Sequence, residues 1–215
     1  MKSEFDRRYL AGGLILLMIA VFSYLVRFQG NLYLVEENEA MEHIQLAFIF
    51  IAGFFFWRNT GQSLLKNNPA LQQPVKRLAM IAAILCFSFL IREMSVKKSG
   101  IDWLIYIVDG TGFKILMLAL WLPALYSLAR SWSCYWSIAR NSILTPTAKF
   151  TMAAAGFMLA GALYDKEIIV VEYFRFYEEI FEMTGYGFLI LAALSFAKDM
   201  EFSQADSRLC AASSH

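Results

Sequence analysis

Glu36, Glu39 and His43 recur at the spacing that lines one face of a helix, with Glu42 beside them. Far downstream Arg175, Glu179, Glu182 and Tyr186 form a second stripe of the same kind. Between them lie Arg92-Glu93 and the turn sequence Asp109-Gly110-Thr111-Gly112, two residues ahead of Lys114. Carboxylates grouped with one imidazole can coordinate a hard or borderline cation, with oxygen ligands favouring Ca, Mg, Mn or Fe over Zn. They can equally relay a proton or act as general acid and base, because crowded carboxylates resist standing side by side ionised. The spacing therefore predicts a cation or proton pocket built from Glu39, Glu42, His43, Glu93, Glu179 and Glu182. Arg92, Asp109 and Lys114 are expected as pairing partners that lock helix ends, Arg92 with Glu93 or Glu182 and Lys114 with Asp109.

One interior histidine does not build a zinc or di-iron site of the common types. No Gly-rich phosphate loop, Ser/His/Asp set or Cys-x-x-Cys is present. The cofactor is thus unknown beyond a possible divalent cation. More exposed acids such as Glu36, Glu37, Glu167 and Glu172 need no role beyond solvation.

The elements that must position these residues are apolar. Hydrophobic residues make up 59% of the 215 and charged residues 17%, against about 45–50% and about a quarter in a soluble domain. The apolar excess falls into runs near the ~20 residues needed to cross a bilayer. Six spans account for it, at about 9–28, 42–57, 78–95, 112–129, 149–165 and 180–197. The first follows Arg7 and Arg8, but no small-residue cleavage site succeeds it, so it reads as a retained helix rather than a signal peptide.

Charge sorts along the same division. No Asp or Glu occurs between His43 and Ile91 or between Gly110 and Tyr164, yet both tracts carry Lys and Arg. With the N-terminus in the cytoplasm, the inner segments hold 12 Lys/Arg and 5 Asp/Glu, and the outer ones 7 and 13. That is the positive-inside pattern. The expected fold is a polytopic all-α bundle of six transmembrane helices with both termini cytoplasmic. It comprises one domain over 1–198 and a short polar cytoplasmic tail over 199–215.

Finer features follow. Asn67-Asn68-Pro69 and Thr145-Pro146-Thr147 are turn chemistry in inner connectors. Pro123 lies inside the fourth span, and Gly156 with Ala160 offers the fifth a small face for close helix packing. The outer segments 96–111 and 166–178 keep enough apolar residues to lie along the interface. Of the three cysteines, Cys86, Cys134 and Cys210, none falls among the acidic segments, so no disulfide framework is implied. Charged residues bounding most spans stand about 16 apart, which is roughly 22–24 Å of helix against ~30 Å of hydrocarbon. Glu42, His43, Arg92, Glu93, Lys114 and Glu182 are therefore expected below the bilayer surface, where loss of Arg92 would strand a carboxylate at several kcal/mol.

The strings Glu39-x-x-Glu42 and Glu179-x-x-Glu182 resemble the iron-binding Glu-x-x-Glu of the high-affinity iron permeases. That family carries Arg before the first Glu, where Asn38 and Glu178 stand here, and the resemblance covers only these two four-residue strings. The leading functional expectation is binding or translocation of a cation or proton in the bacterial inner membrane, through an outward-facing carboxylate pocket. The alternatives are a membrane-embedded enzyme using paired Glu residues on a lipid or periplasmic substrate, and an accessory subunit of a membrane complex. The expected partners are the lipid bilayer and a cation or small ligand from the outer side. Nucleic acid is not among them, since no basic patch with interleaved aromatics occurs.

Overall fold

The computed structural model describes residues 7–35, 40–61, 69–94, 102–108 and 110–201. They form eight helices: α1 Arg7–Arg27, α2 Ala40–Gly61, α3 Pro69–Glu93, α4 Asp102–Val108, α5 Thr111–Arg130, α6 Trp132–Ser142, α7 Pro146–Asp165 and α8 Phe174–Glu201. No strand occurs among the described residues. Five helices, α1, α2, α3, α5 and α8, are long and apolar enough to cross a membrane, and α6 with α7 passes the same test as a bent pair, for up to six. The chain is an all-helical, multi-pass membrane protein, as the apolar runs predict.

The local reasons are familiar ones. Pro69 and Pro146 open α3 and α7, where a missing N–H is harmless and φ is already helical. Ahead of α7, the Thr145 hydroxyl donates to the Ser142 carbonyl at 2.7 Å. Pro74 and Pro123 lie within α3 and α5 without ending either helix.

Helices reach further than the apolar runs alone. The 28 residues of α8 extend about 42 Å at 1.5 Å each. It starts at Phe174 rather than 180 and continues through buried Asp199 and Met200 to Glu201. The segment 96–111, expected on the outer side, contains α4, packed on α5. Between them Gly112 is needed, because a Cβ there would lie 2.7 Å from the Tyr106 carbonyl oxygen. Most of the segment expected as an inner connector at 130–148 is helix α6.

The chain divides into two compact units, 1–52 with 146–195, and 53–145 with 196–215. In the first, α2 buries Met41, Gln45, Phe48, Ile49 and Ala52, an i, i+4, i+7, i+8, i+11 stripe. The adjoining length of α8 buries Met183, Tyr186 and Leu189 through Ala193.

Where α7 passes α8, small residues set the distance. A Cβ at Gly161 would stand 2.9 Å from Glu182 Cγ, and one at Gly185 would stand 3.2 Å from the Ala154 carbonyl oxygen. The expected face of Gly156 and Ala160 is not the one used. Gly156 is exposed with nothing within 4 Å of a Cβ, whereas Ala154 and Gly161 are buried. Ala154 and Gly161 are seven residues apart and share a face, and Gly156 lies about 140° around the helix from Gly161 at about 100° per residue.

In the second unit α5 contacts α3, α4 and α6. Trp121 on α5 donates its indole N–H to Ser88 Oγ at 3.0 Å, and Ser88 donates to the Ile84 carbonyl at 2.7 Å. Phe56 meets Phe196 edge-on at 5.9 Å. Cys86 is buried and free, and Cys134 is disulfide-bonded. The cysteine positions implied no disulfide framework and did not point to this bond. Pairing depends on Cα separations of about 4.4–6.8 Å, which spacing along the chain does not disclose.

Candidate functional site

Of the six residues expected to form a pocket, Glu39 lies outside the described residues, as does Asp109 among the pairing partners. Glu42, His43, Glu179 and Glu182 belong to the first unit, and Glu93 belongs to the second with Arg92 and Lys114.

In the first unit the meeting point of α2 and α8 is Gln45. It is 1% exposed and donates through Nε2 to the Glu179 carboxylate at 2.6 Å and to the Glu179 backbone carbonyl at 3.1 Å. A buried amide on a membrane helix must find partners, and here one residue supplies both. The bond holds the half-buried Glu179 carboxylate in one orientation. The stem of the half-buried Glu182 lies against α7 at Gly161. Glu42 is half-buried one position beyond Met41, and His43 is exposed. His43 is therefore offset from the face α2 buries, which runs through Met41 and Gln45.

An aromatic column accompanies these acids. Rings from α7 and α8 alternate as Tyr177, Tyr164, Phe181, Phe157, Phe188 and Phe150, with successive centroids 5.7, 5.6, 5.9, 5.4 and 6.1 Å apart. Each such pair contributes about 0.5–1.5 kcal/mol beyond burial. At its tyrosine end Arg27 of α1 donates to the Tyr177 hydroxyl at 3.0 Å. The same guanidinium lies 5.6 Å and 6.0 Å from the Tyr173 and Tyr177 ring centroids. Tyr173 has φ 63° and precedes α8. The Glu172 carboxylate, which its hydroxyl faces, raises its pKa above the ordinary 10.0. Neither Gln45, Arg27 nor this column was anticipated. The seven-residue spacing of Phe150, Phe157 and Tyr164 was the available signal.

In the second unit Arg92 donates to its chain neighbour Glu93, Nη2 at 2.6 Å and Nε at 3.0 Å. The Arg92 side chain is 56% exposed. Lys114 is exposed. Among the described residues no three His, Cys, Asp or Glu side chains come together as a metal-binding group. The described structure does bring the Gln45 amide onto the Glu179 carboxylate.

No family model matches the chain, and no curated protein or solved structure resembles it at a significant level.

Proposed function

We propose that this multi-pass protein resides in a bacterial inner membrane and takes up a proton or cation from the outer side at its helix-end carboxylates. Glu179 is the central group, with Glu182 one turn on along α8 and Glu42 one turn before Gln45 on α2. The observation that carries the reading is the bond from buried Gln45 to the Glu179 carboxylate. A carboxylate partly withdrawn from water within a membrane helix is costly unless it has a task. The pattern of Lys and Arg in the short connectors supports the orientation.

Two measurements test this. Infrared difference spectra of the reconstituted protein across a pH step should contain a protonated-carboxyl band that Glu179→Gln removes. Metal analysis of protein purified in mild detergent, with and without Glu182→Gln, separates a cation from a proton. A pH-difference spectrum unchanged by Glu179→Gln, together with equal metal content in the two proteins, would overturn the reading. For orientation, Asn141→Cys should be shielded from an impermeant thiol reagent in intact cells, and Glu167→Cys should be labelled.

A further inference from the structure

The turn joining α7 to α8 is held at both ends, and what it presents is apolar. At the end of α7, Glu167 is left-handed (φ 52°). The Glu167 N–H donates to the Tyr164 carbonyl at 2.9 Å and the Ile168 N–H to the Leu163 carbonyl at 3.0 Å. These two bonds make a Schellman cap. Ahead of α8, Tyr173 is left-handed as well (φ 63°), and the Phe174 N–H donates to the Val171 carbonyl at 3.2 Å. Left-handed residues other than glycine persist only where their surroundings impose them. Between the two stand Ile168, Ile169, Val170 and Val171. Their exposure alternates at 68, 36, 75 and 41%, so Ile168 and Val170 form an outward pair.

Position says what meets that pair. Met152, Leu159 and Leu163 are exposed and fall on one stripe of α7 at i, i+7 and i+11. At about 100° per residue the stripe lies opposite Ala154 and Gly161, which are buried where α7 passes α8. An apolar face turned away from the neighbouring helix of a membrane bundle meets acyl chains. The cap ties Ile168 to Leu163, so the tip continues this stripe past the end of the helix. The level agrees. The aromatic column of α7 and α8 turns from phenylalanine to tyrosine at Tyr164 and Tyr177, beside the turn, and Tyr is enriched where a membrane meets water. Composition offers the whole of 166–178 to the interface, and the two caps narrow it to this tip.

We infer that Ile168 and Val170 form a membrane-inserted tip, seated at the acyl boundary of the leaflet that the α7–α8 turn faces. The partner is the lipid surface, met by burial of apolar area rather than by charge. This is independent of the carboxylates of α2 and α8 and of the proposed cation uptake.

The test uses the full chain reconstituted in phosphatidylcholine vesicles. Val170→Trp places an indole at the tip, and subtracting wild-type fluorescence removes the five native tryptophans. Gln29→Trp is the comparison, since Gln29 is exposed just past α1, at the end of the first unit where Arg27 reaches Tyr177. Lipids brominated high on the acyl chain should quench Val170→Trp at least about twofold more than Gln29→Trp, as burial to interfacial depth requires. Aqueous iodide should show the reverse order. Ile168→Trp gives the same reading should Val170→Trp not fold. Equal bromolipid quenching at the tip and at the comparison site, or quenching of the tip by iodide alone or by neither agent, would overturn the insertion.

Discussion

Gln45 and Glu179 are joined twice, since one amide nitrogen donates to both the side-chain carboxylate and the backbone carbonyl of the same residue. The contact ties a turn of α2 to the first turns of α8. Gln45→Leu keeps the volume and removes the donor. It should lower stability in detergent by about 1.5–3 kcal/mol, the range for a hydrogen bond to a charged group. In the Glu179→Gln background, where the carboxylate's charge is gone, the same substitution should cost less. Additive losses in that double-mutant cycle would mean the two side chains are not coupled.

Close packing of α7 on α8 makes a second prediction. Gly185→Ala places a methyl 3.2 Å from the Ala154 carbonyl oxygen and 2.8 Å from Met158 Cγ. The methionine can swing away but the backbone cannot, so a loss of about 1–3 kcal/mol is expected, as for overpacking generally. Gly156→Ala meets nothing within 4 Å and should be neutral or stabilising by up to about 1 kcal/mol through helix propensity. Thermal unfolding of the two variants side by side decides it, and a larger loss at Gly156 would contradict the described interface.

Arg92 is the third case. Depth inferred from charge spacing predicts several kcal/mol for its removal. Its exposure and its pairing with an adjacent residue bring the expectation down to about 1 kcal/mol or less. The contact with the Phe89 ring at 5.9 Å is of similarly small weight. Arg92→Ala should therefore shift the melting temperature no more than Lys114→Ala does, and a much larger shift would restore the deeper placement.

The last prediction concerns pH. The pKa of Tyr173 is raised above 10.0, first by its hydrogen bond to Glu172 and then by that carboxylate's charge. A raised value means the neutral phenol is favoured in the folded turn. The contribution is complete below about pH 10 and is lost as pH climbs through the higher folded value. Ultraviolet difference titration, with Tyr173→Phe as the subtraction, should find this tyrosine ionising late, and Glu172→Gln should bring it down. If Tyr173 titrates at its ordinary value in both proteins, the hydroxyl does not rest on Glu172.

Much of the architecture is legible along the chain. Apolar runs near membrane length lead directly to α1, α2, α3, α5, α7 and α8, because hydropathy and length are properties of a segment by itself. Helix ends were less legible. Glu179 is a charged residue just outside the expected 180–197 span, yet it lies inside α8, whose hydrogen bonding continues past the apolar part. Helix α6 was missed for a related reason. Its serines, asparagine and arginine read as a connector, although its tryptophans recur at i, i+4.

The sequence by itself determined the class of protein and the segments where carboxylates and basic residues gather. Only the tertiary structure decided which faces meet: Gln45 on Glu179, Gly161 rather than Gly156 against α8, and the rings of α7 interleaved with those of α8. The reason is physical. A helix surrounded by lipid and other helices is apolar on all sides, as α2 and α7 are. Its composition therefore carries no preferred rotation about its axis, and rotation is set by packing small and aromatic residues against a particular neighbour.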